Sequence, residues 1–172
     1  GTEDSHHALH DFTWTPDESQ GPGRGILRDP VRQHFIEELQ LASGCRNPAI
    51  AQAFGSVPRE RFFGPGPWRI ALPEMGQGHM MVESSYFFTP DSDPRWLYHN
   101  VSIALDESRD LVSGQPGGLA RFFDELGVNS GDRVLHIGAG IGYVSAVLAE
   151  IVGATGSVVA TEADQELAAR AR

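Results

Sequence analysis

Along residues 29–55 the hydrophobic positions recur at the three- and four-residue spacing of a helix face. Asp29-Pro30 opens the first such run: aspartate can accept the free N–H groups of a first turn, and proline at the first helical position lacks an N–H that would find no partner there. Val31, Phe35, Ile36 and Leu39 then share one side, and Gly44 supplies a stop. Asn47-Pro48 repeats the start signal for a shorter helix that carries Ile50 and Phe54 and ends near Gly55. From residue 64 to 100 the helical period disappears. Trp68, Pro73, Met75, Met80, Met81, Tyr86, Phe87, Phe88, Trp96 and Tyr98 crowd a stretch that reads either as a lid or acceptor-pocket wall, or as irregular packing over the core.

Regular patterning then returns and changes period. Val101, Ile103 and Leu105 alternate with Ser102 and Ala104, which predicts a short half-buried strand. A polar turn and Pro116 lead into Leu119, Phe122, Phe123 and Leu126, an i, i+3, i+4, i+7 stripe closed by Gly127 and expected to pack onto a sheet. Ser130-Gly131-Asp132 turns the chain into a strand from Arg133 to Ile137, and Val144, Val147, Leu148 and Ile151 give the next helix, ended by Gly153. A second strand spans Ser157 to Thr161, and Asp164 caps a last helix still running at Arg172. Strand, glycine-rich turn, helix, strand is one βαβ unit, which implies parallel pairing and a right-handed crossover.

Composition narrows the partners. With 13 Lys+Arg against 23 Asp+Glu, the formal charge of −10 disfavours phosphate backbones, so nucleic acid is not expected. No apolar run approaches the roughly 18 residues of a membrane helix, and the polar N-terminus has no signal-peptide core. One cysteine, Cys45, forms no internal disulfide, which fits a reducing, cytoplasmic setting. His6, His7 and His10 lie in a polar, Gly/Pro-containing stretch that reads as an unanchored terminus rather than a metal cluster. No metal site is expected.

The chemistry concentrates at Gly138-Ala139-Gly140-Ile141-Gly142, between the first strand of the unit and its helix. Glycines let the backbone fold sharply there and leave room for a ligand against it, while the helix beyond directs its free N–H groups toward the same space. Glu162 ends the second strand, where a carboxylate can accept hydrogen bonds from both hydroxyls of a ribose. Nicotinamide and flavin enzymes typically space these glycines G-x-G-x-x-G; here the third follows four residues after the first, which disfavours a NAD(P)-dependent oxidoreductase.

Over residues 47–172 the chain resembles the protein-L-isoaspartate O-methyltransferases. Val57-Pro58-Arg59-Glu60-Arg61-Phe62 is similar to their V-P-R-x-x-F stretch, residues 131–149 resemble their motif I and its helix, and Val158-Val159-Ala160-Thr161-Glu162 resembles the strand whose acid holds the ribose. The resemblance implies an α/β fold, the N-terminal portion of the Rossmann-like class I methyltransferase fold, preceded by small helices and the long irregular segment. The chain then divides into a flexible N-terminal segment 1–28, N-terminal helices with an acceptor or lid region over 29–116, and the start of the Rossmann-like S-adenosylmethionine-binding domain at 117–172.

For the cofactor it implies contacts from His136, Gly138, Ala139, Gly140, Gly142, Tyr143 and Glu162. His136 stands where the family usually has an acid near the methionine amino group. The family's T-I-S-x-P segment corresponds to residues 111–116, with one extra residue before Pro116, so that Ser113 and Gln115 both become candidate acceptor-orienting groups. Relatives continue with further strands, so the chain reads as truncated or as the N-terminal portion of a longer protein. The implied activity is transfer of a methyl group from S-adenosylmethionine to a carboxylate of a peptide, or to a small-molecule acceptor. A methyltransferase-like domain that binds without turnover is the alternative.

Overall fold

The computed structural model describes residues 10–11, 29–72 and 86–171. Pro73, Met75, Met80 and Met81, together with His6 and His7, lie outside them.

Both proline-initiated helices form where the caps place them. Helix α1 runs from Pro30 to Ser43, with the Asp29 side chain accepting from the Val31 N–H and Gly44 closing it at φ 62°. Helix α2, Pro48–Ser56, is capped in the same way by Asn47. Phe35, Ile36 and Leu39 are buried as the periodicity predicts, but Val31 is exposed. A short helix α3, Glu60–Phe63, then forms in the V-P-R segment.

The stretch expected to be irregular is partly ordered. Strand β2, Arg69–Ala71, pairs antiparallel with β3, Tyr86–Phe88, and a 3-10 turn spans Pro94–Leu97, capped by Asp93. Single hydrophobics such as Ile70 and Leu97 anchor these elements, and three-residue strands are too short to show a period. The strand predicted from 101 to 105 is shifted: β4 is Ala104–Asp106, and it pairs with β5, Leu111–Val112, across a 3-10 turn at Glu107–Arg109. Ile103 bridges to Ile70 instead and is buried.

Helix α4, Pro116–Leu126, is rotated from its predicted orientation. Pro116, Gly117, Ala120 and Phe123 face inward, while Phe122 and Leu126 are 55% and 62% exposed. Its main neighbours are α1 and α2 rather than a sheet, so the small residues define the contact and let the helices approach. Strand β6, Arg133–Ile137, and β7, Ser157–Thr161, pair in parallel with His136 opposite Ala160, and helix α5, Tyr143–Val152, crosses between them. Along α5, Tyr143, Val147, Leu148 and Ile151 are buried, with Val144 half-buried. Helix α6, Gln165–Arg170, is capped by Asp164. One short strand, β1, His10–Asp11, pairs antiparallel with β7, within the stretch read from sequence as unanchored.

A single hydrophobic cluster joins these pieces, from Phe35 through Phe54 and Phe123 to Val158 and Leu167. Phe54 stacks on Phe123 at 6.0 Å and meets Tyr143 edge-on at 6.3 Å. The corrected face of α4 is open to test by urea denaturation. Phe123→Ala should cost about 3–5 kcal/mol, as a large buried ring does, and Phe122→Ala less than about 1 kcal/mol. Equal losses would restore the orientation read from sequence.

Candidate functional site

Five residues link the end of β6 to the start of α5. Gly138, Gly140 and Gly142 all have positive φ, at 77°, 57° and 84°, in a region where a side chain is strained. Both Gly138 and Ala139 donate backbone hydrogen bonds to the Thr161 carbonyl, at 2.8 and 2.9 Å, which ties the turn to β7. A Cβ built on Gly138 or Gly140 would meet nothing within 4 Å. The turn therefore presents bare backbone to open space, not to another part of the fold. Ala139, Gly142 and Tyr143 are buried beneath it.

Glu162 does more than end a strand. Its Oε2 accepts from the Gly140 N–H at 2.6 Å and its Oε1 from the Asp164 N–H at 2.9 Å, so one carboxylate joins the glycine turn to the cap of α6. Each oxygen keeps a lone-pair direction for a further donor. His136 lies on the face of the sheet that α5 covers, with Nδ1 at 2.8 Å from the hydroxyl of Ser145. Burial holds the imidazole below the usual histidine range, only partly opposed by the negative charge of Glu162.

The Tyr143 side chain is turned away from the open space. It packs on Phe62 and Phe63, each at 5.6 Å, and under the guanidinium of Arg59 at 5.1 Å. Burial pushes its phenol up to about 12. Arg59 is itself completely buried and its own proton affinity is lowered by that burial; it donates to the His99 carbonyl at 3.2 Å and also faces the rings of Phe35 and Phe63.

Ser113 and Gln115 form a second locus. The Ser113 hydroxyl accepts from the Ile103 N–H at 2.9 Å while its own N–H donates to the Ile103 carbonyl, so it extends the β4–β5 hairpin. Gln115 donates to the Asn100 carbonyl at 3.0 Å, and the Asn100 side chain accepts from the Gly117 N–H at 2.7 Å. No hydrogen bond between described residues joins this locus directly to the glycine turn. Arg109 connects them indirectly, reaching from the hairpin turn to Asp164.

Asn100, Arg109 and Ser145 carry no motif and were not singled out from sequence. Ser145 leaves a trace there, a polar residue inside an apolar helix stripe.

A separate hollow of about 480 Å³ opens between Asn47 and Asn129 and contains none of these residues. The Asp124 carboxylate within it is already engaged by Arg46 and the Asn47 N–H. Among the described residues no group of His, Cys, Asp and Glu is arranged to hold a metal ion, and no helix is long and apolar enough to cross a membrane.

The family model for protein-L-isoaspartate(D-aspartate) O-methyltransferase matches residues 30–172. The chain belongs to this family. It is 32% identical over 139 residues to protein-L-isoaspartate O-methyltransferase 2 of Anaeromyxobacter sp. (strain Fw109-5), covering 81% of this chain and 44% of that protein. Against protein-L-isoaspartate O-methyltransferase 1 of Rhodopseudomonas palustris (strain HaA2) it is 34% identical over 122 residues, covering 71% and 38%. A solved protein-L-isoaspartate O-methyltransferase superposes with a TM-score of 0.58 at 27% identity, over 81% of this chain and 36% of that one. The chain thus spans less than half the length of these relatives. The class I methyltransferase fold that the resemblance implied is the fold of this family.

His136 makes a pH prediction. Its folded-state value is depressed, so its contribution to stability is complete above the ordinary value of about 6.5 and is lost as pH falls from there through the folded value. Urea midpoints measured from pH 7.5 down to 5 should fall in the native chain and fall less in His136→Gln. Parallel curves would remove His136 as the cause.

Proposed function

We propose that the chain forms the cofactor-binding part of an S-adenosylmethionine-dependent O-methyltransferase whose acceptor is a carboxylate of an isoaspartyl-type peptide. The observation that carries this reading is the glycine turn. Gly138 and Gly140 leave the directions in which a Cβ would stand open, and the Glu162 carboxylate lies hydrogen-bonded to that same turn. Such a cradle fits a nucleoside, with bare backbone against it and an acid within reach of its ribose.

Bound there, S-adenosylmethionine supplies a methyl group on a sulfonium sulfur, open to in-line displacement by an oxygen nucleophile. The chain's own task is then positional. Gly138 and Gly140 line the ligand with backbone, Ala139 and Gly142 shape the turn from beneath, His136 faces its methionine end, Glu162 accepts from the ribose hydroxyls, and Tyr143 supports the turn from below. On the acceptor side the Ser113 hydroxyl accepts from Ile103, which leaves its proton to donate, and Gln115 stands beside it. A carboxylate acceptor is ionised at neutral pH, so no general base is required, and catalysis reduces to orientation and exclusion of water. Cys45 is a free thiol, which supports a reducing, cytoplasmic setting.

Two titrations with S-adenosylhomocysteine test the site. Gly140→Val should abolish binding with helical content kept, because the new side chain enters the open space the ligand would occupy. Glu162→Ala should weaken binding roughly ten-fold or more, the scale of charge-assisted hydrogen bonds. Unchanged affinity in either folded variant would remove that residue from the site.

The reaction itself is read in the full-length protein that contains this chain. Labelled S-adenosylmethionine and an isoaspartyl peptide should yield a methyl ester, whose label is released as volatile methanol in mild alkali. Base-stable product would keep the methyltransferase reading and discard the carboxylate. Tight cofactor binding with no transfer to any acceptor would favour a binding domain without turnover.

A further inference from the structure

Ser145 is 0% exposed within the apolar face of α5. A serine hydroxyl in a closed interior must place its one proton on an acceptor, since water cannot take it. In helices this is commonly the carbonyl four residues back, and Ser43 and Ser56 of this chain do that. Ser145 does not. Among the described residues its one hydrogen bond is with Nδ1 of His136, at 2.8 Å. The hydroxyl therefore donates to Nδ1, and the neutral ring carries its own proton on Nε2.

Nε2 has no hydrogen-bond partner among the described residues, and it is not one of the polar atoms closed off from solvent. His136 sits two residues before Gly138, at the foot of the glycine turn, with Glu162 the charged group that acts on it. Each oxygen of that carboxylate already accepts one N–H, from Gly140 and from Asp164, and neither is bonded to His136. A free N–H donor thus remains at the place assigned above to the methionine end of the cofactor.

We infer that Ser145 fixes His136 as the Nε2–H tautomer, and that His136 is a specificity-determining residue that donates to the carboxylate of the methionine moiety instead of accepting from its ammonium group. This rests on the S-adenosylmethionine reading, but its first half concerns the free chain alone.

The two halves are tested separately. Long-range proton–nitrogen correlation spectra of the 15N-labelled chain at pH 7.5, with His136 assigned by its absence in His136→Gln, should show Nε2 protonated and Nδ1 bare. A protonated Nδ1 would overturn the tautomer. Ser145→Ala, which fits the buried helix position, should shift the Nδ1 resonance as its hydrogen bond is lost; no shift would overturn the Ser145–His136 bond.

Calorimetric titrations then compare S-adenosylhomocysteine with its analogue lacking the carboxylate. The native chain should favour the former by about ten-fold, the scale of one charge-assisted hydrogen bond. His136→Gln, whose amide N–H can replace Nε2–H, should keep most of that preference; His136→Glu, an acceptor only, should erase it. Unaltered or tighter binding of S-adenosylhomocysteine by His136→Glu would overturn the assignment in favour of an ammonium contact. Equal weakening of both ligands would reduce His136 to a packing residue. No binding of either ligand by the native chain would overturn the cofactor reading itself, whatever the tautomer.

Discussion

A guanidinium buried among aromatic rings holds the two parts of this molecule in register. Arg59 enters on the V-P-R segment between α2 and α3, yet its charged end lies 5.1 Å from the rings of both Phe63 and Tyr143 and 5.6 Å from that of Phe35. Tyr143 is the first residue of α5, directly after the last glycine of the turn. The contact therefore ties the N-terminal helices to the point where the glycine turn ends and α5 begins. Among the described residues this buried cation has no carboxylate partner, a costly situation that ring faces and the His99 carbonyl offset. The aromatic cluster around it, with Phe54 meeting both Phe123 and Tyr143, makes the arrangement hard to shift without repacking several elements at once.

What could be read from sequence was what local chemistry decides. Asp29-Pro30 and Asn47-Pro48 specify helix starts through side-chain caps and a missing N–H, and both helices begin there. The βαβ unit was legible for a similar reason: two apolar five-residue strands and a helical stripe, separated by glycines, have few other solutions. What failed was orientation and short pairing. Phe122 and Leu126 match the helical period of α4 as well as Phe123 does, but the period cannot tell which side the neighbouring helices approach. Ala120 and Gly117, which admit that approach, carry almost no hydrophobic signal. In the same way Leu111 and Val112 looked like part of a polar turn, because a two-residue strand exists only through its partner.

The candidate site divides along the same line. The glycines were recognisable because their conformations require glycine, and the structure gives each a positive φ. Glu162 was recognisable by position alone, but its bond to the Gly140 N–H was not, since that depends on how far the turn folds back over β7. The carboxylate consequently has two tasks. It shapes the backbone of the turn, and in the function proposed above it would also bind the ligand, so its removal would change both. Ser145 showed in sequence only as a polar break in an apolar stripe: it is the parallel register that sets His136 opposite Ala160, beneath α5, that turns a lone helix serine into the partner of a strand histidine.

The two loci meet through charge rather than through packing. Arg109, in the turn between β4 and β5, is paired with Asp106 in its own hairpin and with Asp164 across the fold. Asp164 caps α6 and lies two residues beyond Glu162, whose carboxylate accepts its N–H. A chain of polar contacts thus runs from the hairpin through Asp164 and Glu162 to the Gly140 N–H. Exposed ion pairs of this kind contribute little to stability, and salt weakens them. They link surfaces that the common core already holds: Arg109 joins the hairpin turn to the cap of α6, and Arg170 donates from α6 to the Leu105 carbonyl in β4. The methyl transfer proposed above would depend on that relation, because donor and acceptor atoms must be brought into line, and neither locus could specify the line alone.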